Sequence, residues 1–143
     1  MAPSMIFKAP EPDENSNESD KELGKLMLSV GASGGPKIIT SVLQVILNHL
    51  FLGMPLFDSI VHPRVHNQLL YHGTATSGFD RCPLPQGPLI EVSERTRDAL
   101  ERRGQTIIPM DYLGTCQAVS IDLETNELNA VSDLRKEGKS AGY

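Results

Sequence analysis

The residues best suited to chemistry in this chain stand at 29–36, Ser-Val-Gly-Ala-Ser-Gly-Gly-Pro, where an apolar run ends in glycines and a long apolar segment begins. Gly34 and Gly35 leave the backbone free to take conformations closed to other residues, and Pro36 suits the first position of a helix. Backbone N–H groups left open at such a strand-to-helix turn can receive an anion: a phosphate, a carboxylate or the oxyanion of an acyl-transfer intermediate. The same residues would also make a plain structural turn. A phosphate-binding loop of the nucleotide-binding kind is disfavoured, because it requires a Lys-Ser/Thr pair after its glycines and none follows here.

Two other sets of side chains carry chemistry in principle. His62, His66 and His72 crowd one region, but no Asp, Glu or Cys follows at a ligand spacing and Pro63 interrupts any helix that would align the first two. They are expected to pack and hydrogen-bond, with no metal and no cofactor implied. Cys82 and Cys116 have neither a metal spacing nor the density of a disulfide scaffold, and two buried free thiols are predicted.

The elements that position these groups follow from the hydrophobic pattern. Ser4 to Lys8 and Lys25 to Val30 read as two antiparallel strands joined by an acidic, proline-punctuated connection over residues 9–24 that is expected to be a solvated, flexible loop. From Lys37 to Leu52 apolar residues cover most of a helical wheel, which predicts a helix buried on nearly every side, stopped by Gly53 and Pro55. A second helix carries Leu56, Ile60 and Val61 as far as Pro63. Residues 71–87, rich in Gly, Pro, Ser and Thr, read as loop with room for one strand.

Beyond them, Leu89 to Val92 forms a strand and Ser93 caps a helix over Glu94 to Arg103 that turns Thr96, Ala99 and Leu100 inward and its arginines to solvent, with Gly104 as the stop. Thr106 to Ile108 is a short strand. Cys116 to Leu123 and Leu128 to Ser132 make a hairpin around Glu124–Glu127.

The totals bound the function. The 143 residues suffice for one domain, and a formal net charge of -5 argues against a nucleic-acid partner, which would call for a basic face. The run from Ile38 to Met54 is interrupted by Thr40, Ser41, Gln44, Asn48 and His49, so no membrane-spanning segment is predicted.

With these pieces placed, the chain resembles the C-terminal part of the small subunit of a gamma-glutamyltransferase, a glutathione-degrading N-terminal nucleophile hydrolase. The likeness rests on Met1-Ala2-Pro3-Ser4, on Gly31 to Pro36 with the helix opening Lys37-Ile38-Ile39-Thr40, on Pro63-Arg64-Val65-His66-Asn67-Gln68, and on Ser132-Asp133 with Arg135, Gly138, Ala141, Gly142 and Tyr143. It implies an α/β fold, part of a four-layer α/β/β/α sandwich with mainly antiparallel strands, and makes residues 1–143 a single partial domain. It further implies substrates such as glutathione and other gamma-glutamyl compounds, acceptors such as water, an amino acid or a dipeptide, and assembly with the large-subunit region of the same precursor. Gly34 and Gly35 would supply oxyanion-hole N–H groups, each contributing roughly 3 kcal/mol to transition-state stabilisation.

The resemblance also implies a gap. The family's threonine nucleophile, its serine pair and the residues that hold the substrate's alpha-carboxylate and alpha-amine correspond to nothing in this sequence. An N-terminal nucleophile needs its own free alpha-amine as base, whereas Thr40, Thr74, Thr76, Thr96, Thr106, Thr115 and Thr125 are all internal. These residues alone are therefore expected to be inactive, as a segment of a complete enzyme or, alternatively, as a noncatalytic remnant that assembles with a full-length relative. Complete family members are found at the plasma membrane or outside the cell.

Overall fold

A computed structural model describes residues 3–10, 24–70, 72–84, 87–136 and 138–141. Strand β1 (Ser4–Phe7) pairs antiparallel with β2 (Leu26–Ser33), closed by a hydrogen bond of 2.8 Å from the Lys8 N–H to the Lys25 carbonyl. The acidic connection expected between them lies mostly outside the described residues, as do Met1, Ala2, Gly142 and Tyr143. Helix α1 (Lys37–Ile46) follows the glycine turn and widens into a π-helical turn, Leu47–Phe51, before Gly53, at φ 67°, ends it. Helix α2 (Leu56–Val61) comes next.

The chain then builds a second group of strands: β3 (Val65–His66), β4 (Ser77–Pro83) and β5 (Leu89–Glu91), followed by helix α3 (Glu94–Glu101) and β6 (Ile107–Met110). It finally returns to the first sheet with β7 (Thr115–Ile121) and β8 (Leu128–Ser132).

The first sheet has the order β1-β2-β7-β8 and is antiparallel throughout, with Ser33 opposite Thr115 and Gln117 opposite Ser132. Period-two alternation sends Leu28, Val30 and Ala32 of β2 and Cys116 and Ala118 of β7 to one face. There they meet Val42 and Val45 of α1 and Leu56 and Ile60 of α2 in one buried cluster. The second sheet runs β3-β4-β5, with β6 parallel to β4. The β7–β8 hairpin closes on a turn in which Asp122 Oδ1 accepts from the N–H groups of Glu124 (2.8 Å) and Thr125 (3.0 Å), and these bonds to its charged form hold the Asp122 carboxyl below its usual pKa.

Two sequence expectations need correction. Helix α1 is not buried all round: Val42 and Val45 are, but Ile39 (76 % exposed) and Leu43 (50 %) form an outward apolar stripe that continues to Phe51 (75 %). Among the described residues nothing packs against that side. In α3, Thr96 is exposed and bonds Ser93 at its cap, while Arg97, expected in solvent, sits 5.2 Å from the centroid of the Phe79 ring and pairs with Glu91. A guanidinium gains from an aromatic face when both are partly shielded from water. In the hairpin, β7 buries Thr115, Cys116, Ala118 and Ser120 and turns Val119 outward.

Candidate functional site

The glycine turn sits where β2 leaves the sheet and α1 begins. Gly34 has φ 142° and Gly35 φ 62°, both in the region that favours glycine. Pro36 already has helical dihedrals, and the first helical bonds return to the turn, from Lys37 N–H to Gly34 O (3.4 Å) and Ile38 N–H to Gly35 O (3.1 Å). The carbonyls are thus used by the helix. The N–H groups of Gly34 and Gly35 meet no acceptor among the described residues. Gly35 is exposed and Gly34 half-buried, and both stand at a helix N-terminus.

The two glycines are not equivalent. A Cβ on Gly34 would lie 2.8 Å from the Cα of Gly114, whereas one on Gly35 would meet nothing within 4 Å. Gly34 is therefore glycine because the loop before β7 lies against it.

That loop is fastened to the turn at several points. Lys37 Nζ donates to Tyr112 O (3.1 Å), and the Tyr112 hydroxyl donates to Ser33 O (3.2 Å). The Ser41 hydroxyl is within donating distance of Leu113 O (2.6 Å) and Lys37 O (2.8 Å), and Ser33 Oγ meets Thr115 Oγ1 at 2.8 Å.

Behind the loop lies a group of four charged side chains that sequence reasoning did not single out as a site. Arg64 and Asp133 pair at 2.8 Å, Arg135 and Asp80 at 2.6 Å, and Arg135 and Asp133 at 3.0 Å. Arg64, Asp80 and Asp133 are almost fully buried, and the Arg135 side chain is wholly so. Two positive and two negative charges cancel, which is what makes burial of all four tolerable. Burial pulls the Arg135 guanidinium down, but Asp133 and Asp80 outweigh it, and the net shift is upward, toward the charged form.

The backbone joins in. Asp133 Oδ2 accepts from the Cys116 N–H (2.9 Å) and Asp80 Oδ2 from the Arg64 N–H (2.9 Å), while Arg135 reaches the carbonyls of Ile60 (3.1 Å) and His62 (3.0 Å). Arg64 Nη1 donates to Gly114 O at 2.9 Å, which ties the group to the loop that backs Gly34.

The histidines do not converge. His66 is buried, with Nδ1 2.8 Å from Thr40 Oγ1 and Nε2 2.8 Å from Gln68 Oε1, the packing role expected of it; His62 and His72 are exposed. Cys82 and Cys116 are both free and buried. Burial pushes the Cys116 thiol up to about 11, more than the nearby Arg64 offsets. Since the thiolate is the reactive form, Cys116 is expected to resist iodoacetamide at about pH 8 in the folded chain and to be alkylated once denaturant is added, as read by intact mass.

Residues 20–143 match the family described as gamma-glutamyltranspeptidase. The chain belongs to that family. It is 34% identical over 126 residues to glutathione hydrolase 2 of Arabidopsis thaliana, an alignment that takes in 84% of this chain and 21% of that protein. With the glutathione hydrolase proenzyme of Bacillus subtilis strain 168 it shares 28% identity over 142 residues, covering 99% of this chain and 20% of the relative. The gamma-glutamyltranspeptidase of Pseudomonas nitroreducens, solved as its W525D mutant, superposes with a TM-score of 0.72 at 27% identity, over all of this chain and 61% of that one.

The chain thus spans about a fifth of the length of the curated relatives it matches. Its mixed α/β architecture with mainly antiparallel strands is that of the gamma-glutamyltranspeptidases, as the resemblance implied. The four buried charges fall partly within segments on which that resemblance rests, since Arg64, Asp133 and Arg135 belong to them. Asp80 does not. It stands between buried Phe79 and buried Cys82, and its partner Arg135 is distant in sequence.

Proposed function

We propose that this chain, one partial domain of a gamma-glutamyltranspeptidase, supplies the oxyanion-hole side of a gamma-glutamyl acyl-transfer site acting in glutathione breakdown. In this reading a threonine carried by an upstream portion attacks the gamma-glutamyl carbonyl of glutathione or a related amide. The carbonyl oxygen gains negative charge and accepts hydrogen bonds from the N–H groups of Gly34 and Gly35. Collapse of the intermediate expels the amine, which takes up a proton, and leaves a gamma-glutamyl ester on the threonine. Water, an amino acid or a dipeptide then takes the acyl group.

The observation that carries this reading is the pair of N–H groups at the turn between β2 and α1 that meet no acceptor among the described residues, held in a conformation that excludes a side chain at Gly34. Donors fixed before reaction stabilise developing charge without reorganising. Family membership and the likeness to glutathione hydrolases support glutathione as the substrate.

Two arms test it. The 143-residue chain alone is expected to release no product from glutathione or a gamma-glutamyl anilide. Grafted in place of the matching stretch of the Bacillus subtilis relative, it is expected to support release of the anilide. A folded graft without turnover would instead favour the noncatalytic, assembling role.

A further inference from the structure

We propose that Arg64 is a positioning residue for the Gly34–Gly35 turn, acting through Gly114, and that Asp133, Arg135 and Asp80 exist in part to hold Arg64 in place. The inference rests on the oxyanion-hole reading for its catalytic consequence, but its structural half stands independently of it.

The path is short and each link is a contact. Arg64 Nη2 is fixed by Asp133 Oδ2 at 2.8 Å and by the Ile60 carbonyl, which leaves Nη1 aimed at Gly114 O, 2.9 Å away. Gly114 lies against Gly34 so closely that a methyl group on Gly34 would stand 2.8 Å from its Cα. Gly114 is itself at φ 83°, and a Cβ there would meet Ser41 Oγ at 2.9 Å and Ser33 O at 3.0 Å. The loop therefore has almost no room to shift without moving Ser33 and Gly34. Arg64 comes from the segment after α2, Asp80 from β4, Asp133 and Arg135 from the segment after β8. One planar guanidinium can bridge a carboxylate and a carbonyl at fixed angles, which a lysine ammonium on its flexible stem cannot reproduce.

A group whose purpose was only to staple these segments would not need a guanidinium donor on the carbonyl that backs the turn. Small misplacements of a reacting group are costly, so the link predicts an effect on the chemical step.

The test begins with the full chain, labelled for amide NMR, comparing Arg64→Lys and Gly114→Ala with the unmodified protein. Arg64→Lys keeps the buried charge but gives up the bond to Gly114. It is expected to shift the amide resonances of Gly34, Gly35 and Gly114 while those of the β7–β8 turn stay in place. Gly114→Ala enters the path from the loop without touching the charged group and should move Gly34 and Gly35; it also serves if Arg64→Lys does not fold. In the Bacillus subtilis graft, Arg64→Lys should lower kcat on the order of tenfold or more with KM little changed.

Unmoved Gly34 and Gly35 resonances in a folded variant of either kind would overturn the proposal. So would a loss confined to melting temperature, with kcat intact. If the unmodified graft were inactive while the glycine resonances moved as described, the oxyanion-hole reading would fail and the positioning of the turn by Arg64 would stand.

Discussion

In the Bacillus subtilis graft, Gly34→Ala is expected to lower kcat by about a hundredfold to a thousandfold, the loss typical of removing an oxyanion-hole donor. The cause is geometric. A methyl group on Gly34 meets the Gly114 Cα at 2.8 Å, and backbone atoms on both sides leave no flexible side chain to give way. The turn must rotate, at φ 142° in a region closed to alanine, and the N–H groups rotate with it. Because the donors act on charge that develops in the transition state, KM should change far less than kcat.

Gly35→Ala makes the contrast. Its Cβ enters open space, and φ 62° is a left-handed conformation that alanine adopts at a cost of only about 1–2 kcal/mol. The Gly34 variant should therefore be the more damaging of the two. Steady-state anilide kinetics on both grafts check the order; equal losses would mean that the close approach to Gly114 is irrelevant to the site.

The second large effect concerns stability. Asp133→Asn leaves Arg64 and Arg135 facing each other with Asp80 as the remaining anion, in a site where the Asp133 and Arg135 side chains are 0% exposed. Breaking a buried pair by removing one partner typically costs about 3–5 kcal/mol, far more than loss of a surface ion pair. The Cys116 N–H and the Arg64 and Arg135 guanidinium groups all bond Asp133, so neutralising it weakens contacts from three segments. For a chain of this size the melting temperature should fall by roughly 10 °C or more. In a double-mutant cycle with Arg64→Met, the combined loss should be smaller than the sum of the single losses, since both changes break the same pair. Calorimetry of the four proteins measures it; strict additivity would show that Arg64 and Asp133 act separately.

Much of the fold was legible because local patterns agreed with tertiary demands. The β1–β2 pair, the Ser93 cap, the stop at Gly53 and the β7–β8 hairpin all follow from periodicity and turn chemistry that the structure keeps. The turn at Gly34 and Gly35 was legible for the same reason, since two glycines before a proline at a strand end leave few alternatives.

The misses share a different cause. Within residues 71–87, read as loop with room for one strand, composition did not say where that strand lies; it is Ser77–Pro83, the central strand of the second sheet. What compensates for a glycine and a buried acid there is the pairing of Asp80 with Arg135, which lies 55 residues away in sequence. No local window contains that information. Arg97 was placed in solvent by its charge, and its partners Phe79 and Glu91 likewise come from other elements. The outward stripe of Ile39, Leu43 and Phe51 is the reverse case, in which apolarity predicted burial that the described residues do not supply.

The most direct measurement is the pre-steady-state burst of the graft with a chromogenic gamma-glutamyl anilide. If Gly34 and Gly35 stabilise the oxyanion of an acyl-transfer step, the unmodified graft should release anilide in a burst approaching one equivalent per site, followed by slower turnover. The Gly34→Ala graft should lose the burst while remaining folded. A burst of equal size and rate in both proteins would contradict the assignment of this turn as the oxyanion hole.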